Sequence, residues 1–381
     1  MFKRMQSMQV QAVHSFQAIG PGNHDYRAFI AIHNTNLGPA LGGCRCLHYA
    51  HEQLALDDAM RLAQGMSYKA ALAKVPQGGG KSVILLPNKL APAEVDREFL
   101  FSWFGQCVEQ LNGQYITAMD VGTQVSDMDI IAKQTVHVAS ASNIGDPAPA
   151  TAQGVMTGIK AALDFYFSTN SLAEYSSKRF VIQGLGHVGW RVAQQLKQLG
   201  ADVIAADPDK EKCQQAHALG IKIVDAEDVL SQTCDVLVPC ALGGVIDDDI
   251  INQLDCKIIA GSANNQLAHE GIAEELAARK ILYTPDYIIN AGGLIFASDQ
   301  YHRLQACDKN AVETSYSDKV ESIYQTLMEV FKLAKVQGKN INQVANELAL
   351  RRLALGLDKS DTLSSSNKVS MATKGNVYDA A

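Results

Sequence analysis

Hydrophobic positions along the chain follow two spacings, and the switch between them marks the elements. Residues 27–33 read as a strand, whereas over 55–64 Leu56, Ala59, Met60 and Ala63 recur three or four apart and predict a helix with one apolar face. Gly78, Gly79 and Gly80 interrupt the pattern before the apolar run 82–86, and Phe99, Phe101, Phe104, Val108 and Leu111 predict another helix. This first third reads as a mixed α/β domain. It ends near the segment DPAP at 146–149, because proline restricts its own backbone and that of its predecessor. From 180 onward, short β-branched runs at 180–182, 203–205, 221–224, 236–238 and 258–259 alternate with helical stretches, the rhythm of a parallel, doubly wound sheet.

Residues 312–355 read as mostly helical, and beyond 358 the chain is rich in Ser, Thr and Lys, too polar to offset its own ordering entropy. The expected organisation is α/β with two domains, 1–145 with a mixed sheet and 146–330 with a Rossmann doubly wound sheet. A helical segment at 331–357 is expected to pack back on the first domain, followed by a mobile tail at 358–381.

With 381 residues, 47% of them hydrophobic, the chain can bury two cores. A formal net charge of -7 gives no electrostatic basis for a nucleic-acid partner. The eight cysteines include no Cys-x-x-Cys pair and suggest no disulfide framework, which fits a reducing, cytoplasmic compartment. The first 13 residues lack the apolar core of a signal peptide, and no segment approaches the roughly 20 apolar residues that span a bilayer, so no membrane association is expected.

The stretch FVIQGLGHVG sets Gly184, Gly186 and Gly189 as G-x-G-x-x-G, after a strand and at the opening of a helix. Such a turn lets backbone approach a pyrophosphate at a helix amino terminus; Leu185, His187 and Val188 complete it. Asp207, at the end of the next strand, stands where a carboxylate can accept hydrogen bonds from an adenosine ribose and repel a 2'-phosphate, which predicts NAD rather than NADP.

The lysine in QGGGKS does not belong to a P-loop, since Val75 stands where G-x-x-x-x-G-K-[ST] needs its first glycine. Lys81 in this crowded stretch can instead be desolvated, so that its neutral amine moves protons or activates water. Lys69, in MSYK, is a second cation suited to a substrate carboxylate. Asp120, in MDVGT, follows an apolar stretch and can accept a proton from a substrate amino group.

In order along the chain, GPALGGCR (38–45), MSYKAALAKVPQGGGKSVI (66–84), DVGT (120–123), DPAPATAQGV (146–155), GLGHVG (184–189), PCALGGVI (239–246), GSANNQL (261–267) and PDYIINAGG (285–293) resemble the Glu/Leu/Phe/Val dehydrogenase family, and within it the leucine dehydrogenase branch. The resemblance covers about residues 10 to 355. It implies that 1–145 binds substrate and forms homo-oligomers while 146–330 binds NAD. It also implies that Lys81 is the catalytic lysine, that Lys69 holds the substrate carboxylate with help from Asn265, and that Asp120 is the acid/base for the amino group. Gly42 and Gly43 would let backbone approach the substrate. Thr151, Ala241 and Asn264 would line the nicotinamide half, with Asn290 a further candidate there.

By the same resemblance Leu41, Met66, Ala118, Leu294 and Ala297 form the side-chain pocket. Glutamate-specific relatives typically carry lysine where Leu41 stands, because a buried carboxylate needs a counter-charge. The implied reaction is oxidative deamination of an apolar, branched-chain L-amino acid to its 2-oxo acid and ammonia, and the reverse. The alternatives are an aromatic (Phe/Trp) L-amino-acid dehydrogenase or a nucleotide-binding regulatory homologue impaired in turnover. The last is motivated by Met119, which stands where the family usually has glutamate. Cys44 and Cys46 also depart from the usual pattern, with no third ligand to suggest a metal.

Overall fold

A computed structural model describes residues 2–87, 90–168, 172–305 and 316–356; the expected tail at 358–381 lies outside them. The chain divides into two compact units. One comprises residues up to Asp146 with the described parts of Ala297–Val312 and Ala349–Asn367, and the other runs from Pro147 to Phe296 with the described part of Glu313–Leu348.

In the first unit the order is α1 (Phe2–Ser7), β1 (Ala12–Gly20), β2 (His24–Asn34), β3 (Ala40–Leu47), α2 (Glu52–Leu72), β4 (Gly78–Leu85), α3 (Arg97–Glu109), β5 (Tyr115–Met119) and α4 (Val125–Ala132). The strands form one sheet in the order β1-β2-β4-β3-β5. β1 and β4 run antiparallel to β2, while β3 runs parallel to β4 and β5, so the sheet is mixed. Each face has its own helices. On one, Phe29, Ala31 and Val83 pack with Ala55, Leu56, Ala59, Met60 and Ala63 of α2, whose three- and four-residue spacing makes an apolar stripe of alanines flanked by Leu56 and Met60. On the other, Ala28, Ile30, Cys44, Cys46 and Ile84 pack with Leu100, Phe101, Phe104 and Val108 of α3 and Met128 and Ile131 of α4.

The three glycines do not break the pattern ahead of the apolar run, contrary to the expectation; they begin the strand that holds it, β4. A Cβ on Gly79 would lie 2.0 Å from the backbone nitrogen of Ser67, so the bare strand allows α2 to lie directly against it. α2 likewise runs past the expected end at 64 and carries Met66 and Lys69 in its last turns. β1 and β3 have no counterpart among the expected strands.

The second unit contains α5 (Ala148–Phe167), β6 (Arg179–Gln183), α6 (His187–Gln198), β7 (Asp202–Ala206), α7 (Lys210–Ala218), β8 (Lys222–Ile223), β9 (Cys234–Pro239), β10 (Cys256–Ile259), α8 (Gly271–Ala278), β11 (Leu282–Tyr283) and α9 (Asp286–Ile289). Its sheet has the order β11-β10-β9-β6-β7-β8 with every pairing parallel. The chain lays β7 and β8 to one side of β6 and then crosses to β9 on the other, so a topological switch point lies at the carboxyl end of β6, where doubly wound sheets bind ligands.

Three more helices follow, α10 (Gly292–Gln305), α11 (Tyr316–Gln337) and α12 (Ile341–Leu355). α11 packs along α5, with the rings of Phe165 and Phe331 5.1 Å apart. The division between units passes through α10 after Phe296 and through α12 after Leu348, so 146–330 is not one uninterrupted unit. Within the first unit, Ser298 and His302 of α10 hydrogen-bond the buried Gln77 side chain, and Arg352 of α12 donates to the carbonyls of Ala71 and Leu72. These polar contacts attach distant sequence to the segment that leads into β4.

The tightest approach in the sheet lies between β3 and β4, where a Cβ on Gly42 would stand 1.7 Å from the carbonyl oxygen of Gly80. Gly42→Ala therefore forces backbone apart. It is expected to lower unfolding free energy by at least about 1 to 3 kcal/mol, the cost of overpacking a core, read as a reduced urea midpoint; an unchanged midpoint would contradict this packing.

Candidate active site and dinucleotide turn

Strand alternation decides which side chains of the first unit meet. β3 pairs Leu41 with Gly79 of β4 and Cys44 with Ser82, so Gly43 stands level with Lys81; on its other side Gly43 pairs with Ala118 of β5. With a period of two, Leu41, Gly43 and Arg45 share a face with Gly79, Lys81, Ala118 and the position after β5, Asp120. This is the face that α2 covers.

On it, Lys81 is buried and its Nζ lies 2.8 Å from Oδ2 of Asp120. Burial pulls the Lys81 amine below the usual lysine range, and the Asp120 carboxylate only partly offsets that pull. Burial works the other way on Asp120, but the ammonium of Lys81 and the guanidinium of Arg45 outweigh it and hold the carboxyl below its ordinary value. The arrangement is a carboxylate base beside an amine made easier to deprotonate. Gly43 keeps the space over them clear: a Cβ there would stand 2.8 Å from Cβ of Asp120 and 3.2 Å from Nζ of Lys81.

Residues without a sequence signature of their own surround Asp120. Nε of Arg45 donates to its Oδ2 at 3.0 Å, and Nη1 of Arg45 donates to Asp58 of α2 at 2.8 Å. Tyr49 and Arg61 also bond Asp58. The hydroxyl of Thr123 bridges the backbone of Asp120 and the carbonyl of Cys44, which fixes the turn that presents the carboxylate. The available signals were Arg45, at strand spacing from Gly43, and Asp58, an acid beside the alanine stripe of α2.

Among the other expected substrate residues, Leu41 is buried, and Met66, Lys69, Ala118 and Ala297 are half-buried. Lys69 lies two residues beyond Ser67, the residue that touches Gly79. Met119 follows Ala118 on β5, so alternation turns it from the Lys81 face, and it is 41% exposed. The Lys81–Asp120 pair forms without a charge there. Cys44 and Cys46 point into the opposite core; burial raises both thiols, Cys46 to about 12.

In the second unit the glycine turn joins β6 to α6. Gly184 has a φ of +94°, open to glycine at little cost. A Cβ on Gly189 would lie 2.0 Å from the carbonyl oxygen of Gly184, so only a bare residue lets the helix start this close to the strand. Gly186, the cap of α6, differs: a Cβ there would meet nothing within 4 Å, and no side chain caps the helix, whose first N–H groups remain open to an anion. Leu185 is buried, His187 exposed and Val188 half-buried.

Asp207 is tied to this turn. Its carboxylate accepts from the backbone N–H of Leu185 at 2.7 Å and of Asp209 at 2.9 Å, and the side chain is 8% exposed. Each oxygen retains a further lone pair for a ribose hydroxyl. Past the carboxyl ends of the neighbouring strands, Ala241 touches Gly184, and Asn264 accepts a hydrogen bond from Asn290 at 2.8 Å. Asn290 also donates to the Ser262 carbonyl and is buried, an anchor for the loop after β10. Thr151 caps back to Pro147 and abuts Gly293. Asn265 is exposed at φ +50° with its N–H donating to Asp286, and Leu294 is buried; both belong to the second unit.

Comparison with known proteins points to one family. Residues 13–137 match the family described as Glu/Leu/Phe/Val dehydrogenase, dimerisation domain, and 209–358 match Glutamate/Leucine/Phenylalanine/Valine dehydrogenase. Residues 153–244 match the NAD binding domain of D-isomer specific 2-hydroxyacid dehydrogenases. The chain is 42% identical to the leucine dehydrogenase of Bacillus subtilis over 332 residues, 86% of this chain and 87% of the relative. It is 40% identical to the L-tryptophan dehydrogenase of Nostoc punctiforme over 335 residues, 87% of this chain and 91% of that one. A crystal structure of L-tryptophan dehydrogenase from Nostoc punctiforme superposes with a TM-score of 0.79 at 36% identity, covering 95% of this chain and all of that one. With an ion-paired lysine and aspartate on one sheet and a dinucleotide turn on the other, the chain belongs to the Glu/Leu/Phe/Val dehydrogenase family.

Proposed function

We propose that this protein catalyses the NAD-dependent oxidative deamination of branched-chain L-amino acids and its reverse: amino acid, NAD+ and water give 2-oxo acid, ammonium, NADH and a proton. The observation that carries the reading is the buried amine of Lys81, 2.8 Å from Asp120, on a face that Gly43 leaves clear. Gly184, Gly186, Gly189, Asp207 and the open start of α6 suit NAD, with Thr151, Ala241 and Asn264 assigned to its nicotinamide end. Bound NAD supplies the hydride acceptor. Asp120 takes the proton from the substrate ammonium, and Lys81, uncharged, activates water for attack on the imino carbon. Lys69 holds the substrate carboxylate, and backbone at Gly42 and Gly43 borders the substrate.

Leu41, Met66, Ala118 and Ala297 of the first unit are assigned to the substrate's side chain, apolar residues with no counter-charge among them for an acidic group. Aromatic L-amino acids are the second reading, favoured by the small, half-buried Ala118 and Ala297 and by the similarity to L-tryptophan dehydrogenase. The match to a dimerisation domain over 13–137 supports a homo-oligomer, checked by light scattering on the purified protein. Free cysteines among the described residues support cytoplasmic residence, and no described helix is long and apolar enough to cross a membrane.

The purified protein is expected to form NADH with leucine, valine and isoleucine, with preferences among them set by about 1 to 3 kcal/mol per methylene. Glutamate and NADP should be poor. Turnover should rise with pH through a value below that of free lysine, because the amine must be neutral and burial makes it so sooner. Lys81→Ala should lower kcat by about a hundredfold or more; undiminished turnover in that variant, or none in the parent with any apolar amino acid, overturns the assignment. Gly186→Ala should leave the melting temperature unchanged, since the methyl meets only open space, yet raise the NAD dissociation constant about tenfold, roughly 1.4 kcal/mol. Unchanged calorimetric NAD affinity would remove the turn from the cofactor site.

A further inference from the structure

The two oxygens of Asp120 have different surroundings. Oδ2 receives both Nζ of Lys81 at 2.8 Å and Nε of Arg45 at 3.0 Å, while Oδ1 has no hydrogen-bond partner among the described residues. Arg45 is fixed at its far end. Its Nη1 donates to Oδ2 of Asp58, the hydroxyl of Tyr49 donates to that same oxygen at 2.8 Å, and Arg61 takes Oδ1 of Asp58 at 2.7 Å. The planar fork of Arg45 thus spans two partly buried carboxylates and cannot turn without breaking a charge-assisted bond.

We propose that Arg45, held by Asp58, is a positioning residue that fastens Oδ2 of Asp120 against Lys81 and leaves Oδ1 as the oxygen that takes and returns the substrate's proton. The inference rests on the deamination reading and adds a division of labour within the carboxylate. A proton arriving on Oδ2 would face two N–H donors already aimed at it, whereas Oδ1 meets none. Without Arg45 the carboxylate is free to rotate about its χ2 bond, and the lysine's partner and the proton acceptor exchange places.

Arg45 also contributes charge. Charged and titratable groups around the pair include Arg45 and Cys44 on β3, Tyr115 on β5, Tyr49, Asp58 and Arg61 behind the guanidinium, and Lys69 on α2, the helix that covers this face. The Arg45 cation lowers the proton affinity of both Lys81 and Asp120. Removing it therefore raises both, and the rise of turnover with pH moves to higher pH.

The test measures kcat, KM for leucine and the pH profile of kcat for the parent, Arg45→Gln, Arg45→Lys, Asp58→Asn and Lys81→Ala, with melting temperatures alongside. Arg45→Gln should lower kcat about ten- to a hundredfold with KM within about twofold, and shift the pH profile upward. Arg45→Lys restores charge without the fork, so it should recover the profile's position but not the rate. Asp58→Asn should lower kcat with the profile in place. If Arg45→Gln does not fold, the other two variants carry the test. Lower melting temperatures with parental kcat and profile in Arg45→Lys and Asp58→Asn would reduce Arg45 to a structural role and overturn the proposal. If Lys81→Ala retains parental turnover, the deamination reading itself has failed, a distinct result.

Discussion

A primary amine enclosed by protein must either be paired or give up its proton, and the first unit is organised around that choice. Lys81 stands buried on the sheet face covered by α2, with the partly exposed Asp120 as its partner. Full exposure would leave the amine permanently charged at neutral pH, and full burial without a carboxylate would exclude it from the fold. The intermediate condition suits a group that must exchange protons. It depends on the absence of side chains at Gly43, which would crowd the pair, and at Gly42 and Gly79, which would hold β3, β4 and α2 apart.

Much of this was legible in the residues. The helix periodicity of α2, the β-branched runs of the second sheet and the glycine turn before α6 each carry their own physical signature, and the structure follows them. What is not legible has a common cause. Glycine at 78–80 reads locally as a breaker from its conformational freedom, yet there it serves close packing, a tertiary demand that local pattern does not encode. β3 is obscured for the same reason, since ALGGCRCL is buried on a parallel pairing and its glycines hide the alternation. Lys81 and Asp120 stand out as chemistry-bearing types beside special backbone. Arg45 and Asp58 do not, because only register and the placement of α2 bring them to the same carboxylate.

The contributions of α10 and α12 lie further still from local pattern. Ser298 and His302 converge on Gln77, and Arg352 satisfies carbonyls at the end of α2. A buried amide such as Gln77 must find partners to be tolerated, and those partners come from more than 200 positions away. No window of sequence contains that information, which is why 146–330 read as a single block.

Asp207 carries a consequence for redesign. Its carboxylate ties the amide of Leu185 in the glycine turn to the end of β7 and steadies the backbone at Asp209. Exchanging it for a neutral or basic residue to admit a 2'-phosphorylated dinucleotide would also release the loop on which either coenzyme must settle. Coenzyme preference and loop rigidity are therefore coupled through one side chain, and a switch of preference here calls for a second acceptor for the Leu185 amide as much as for a new cation.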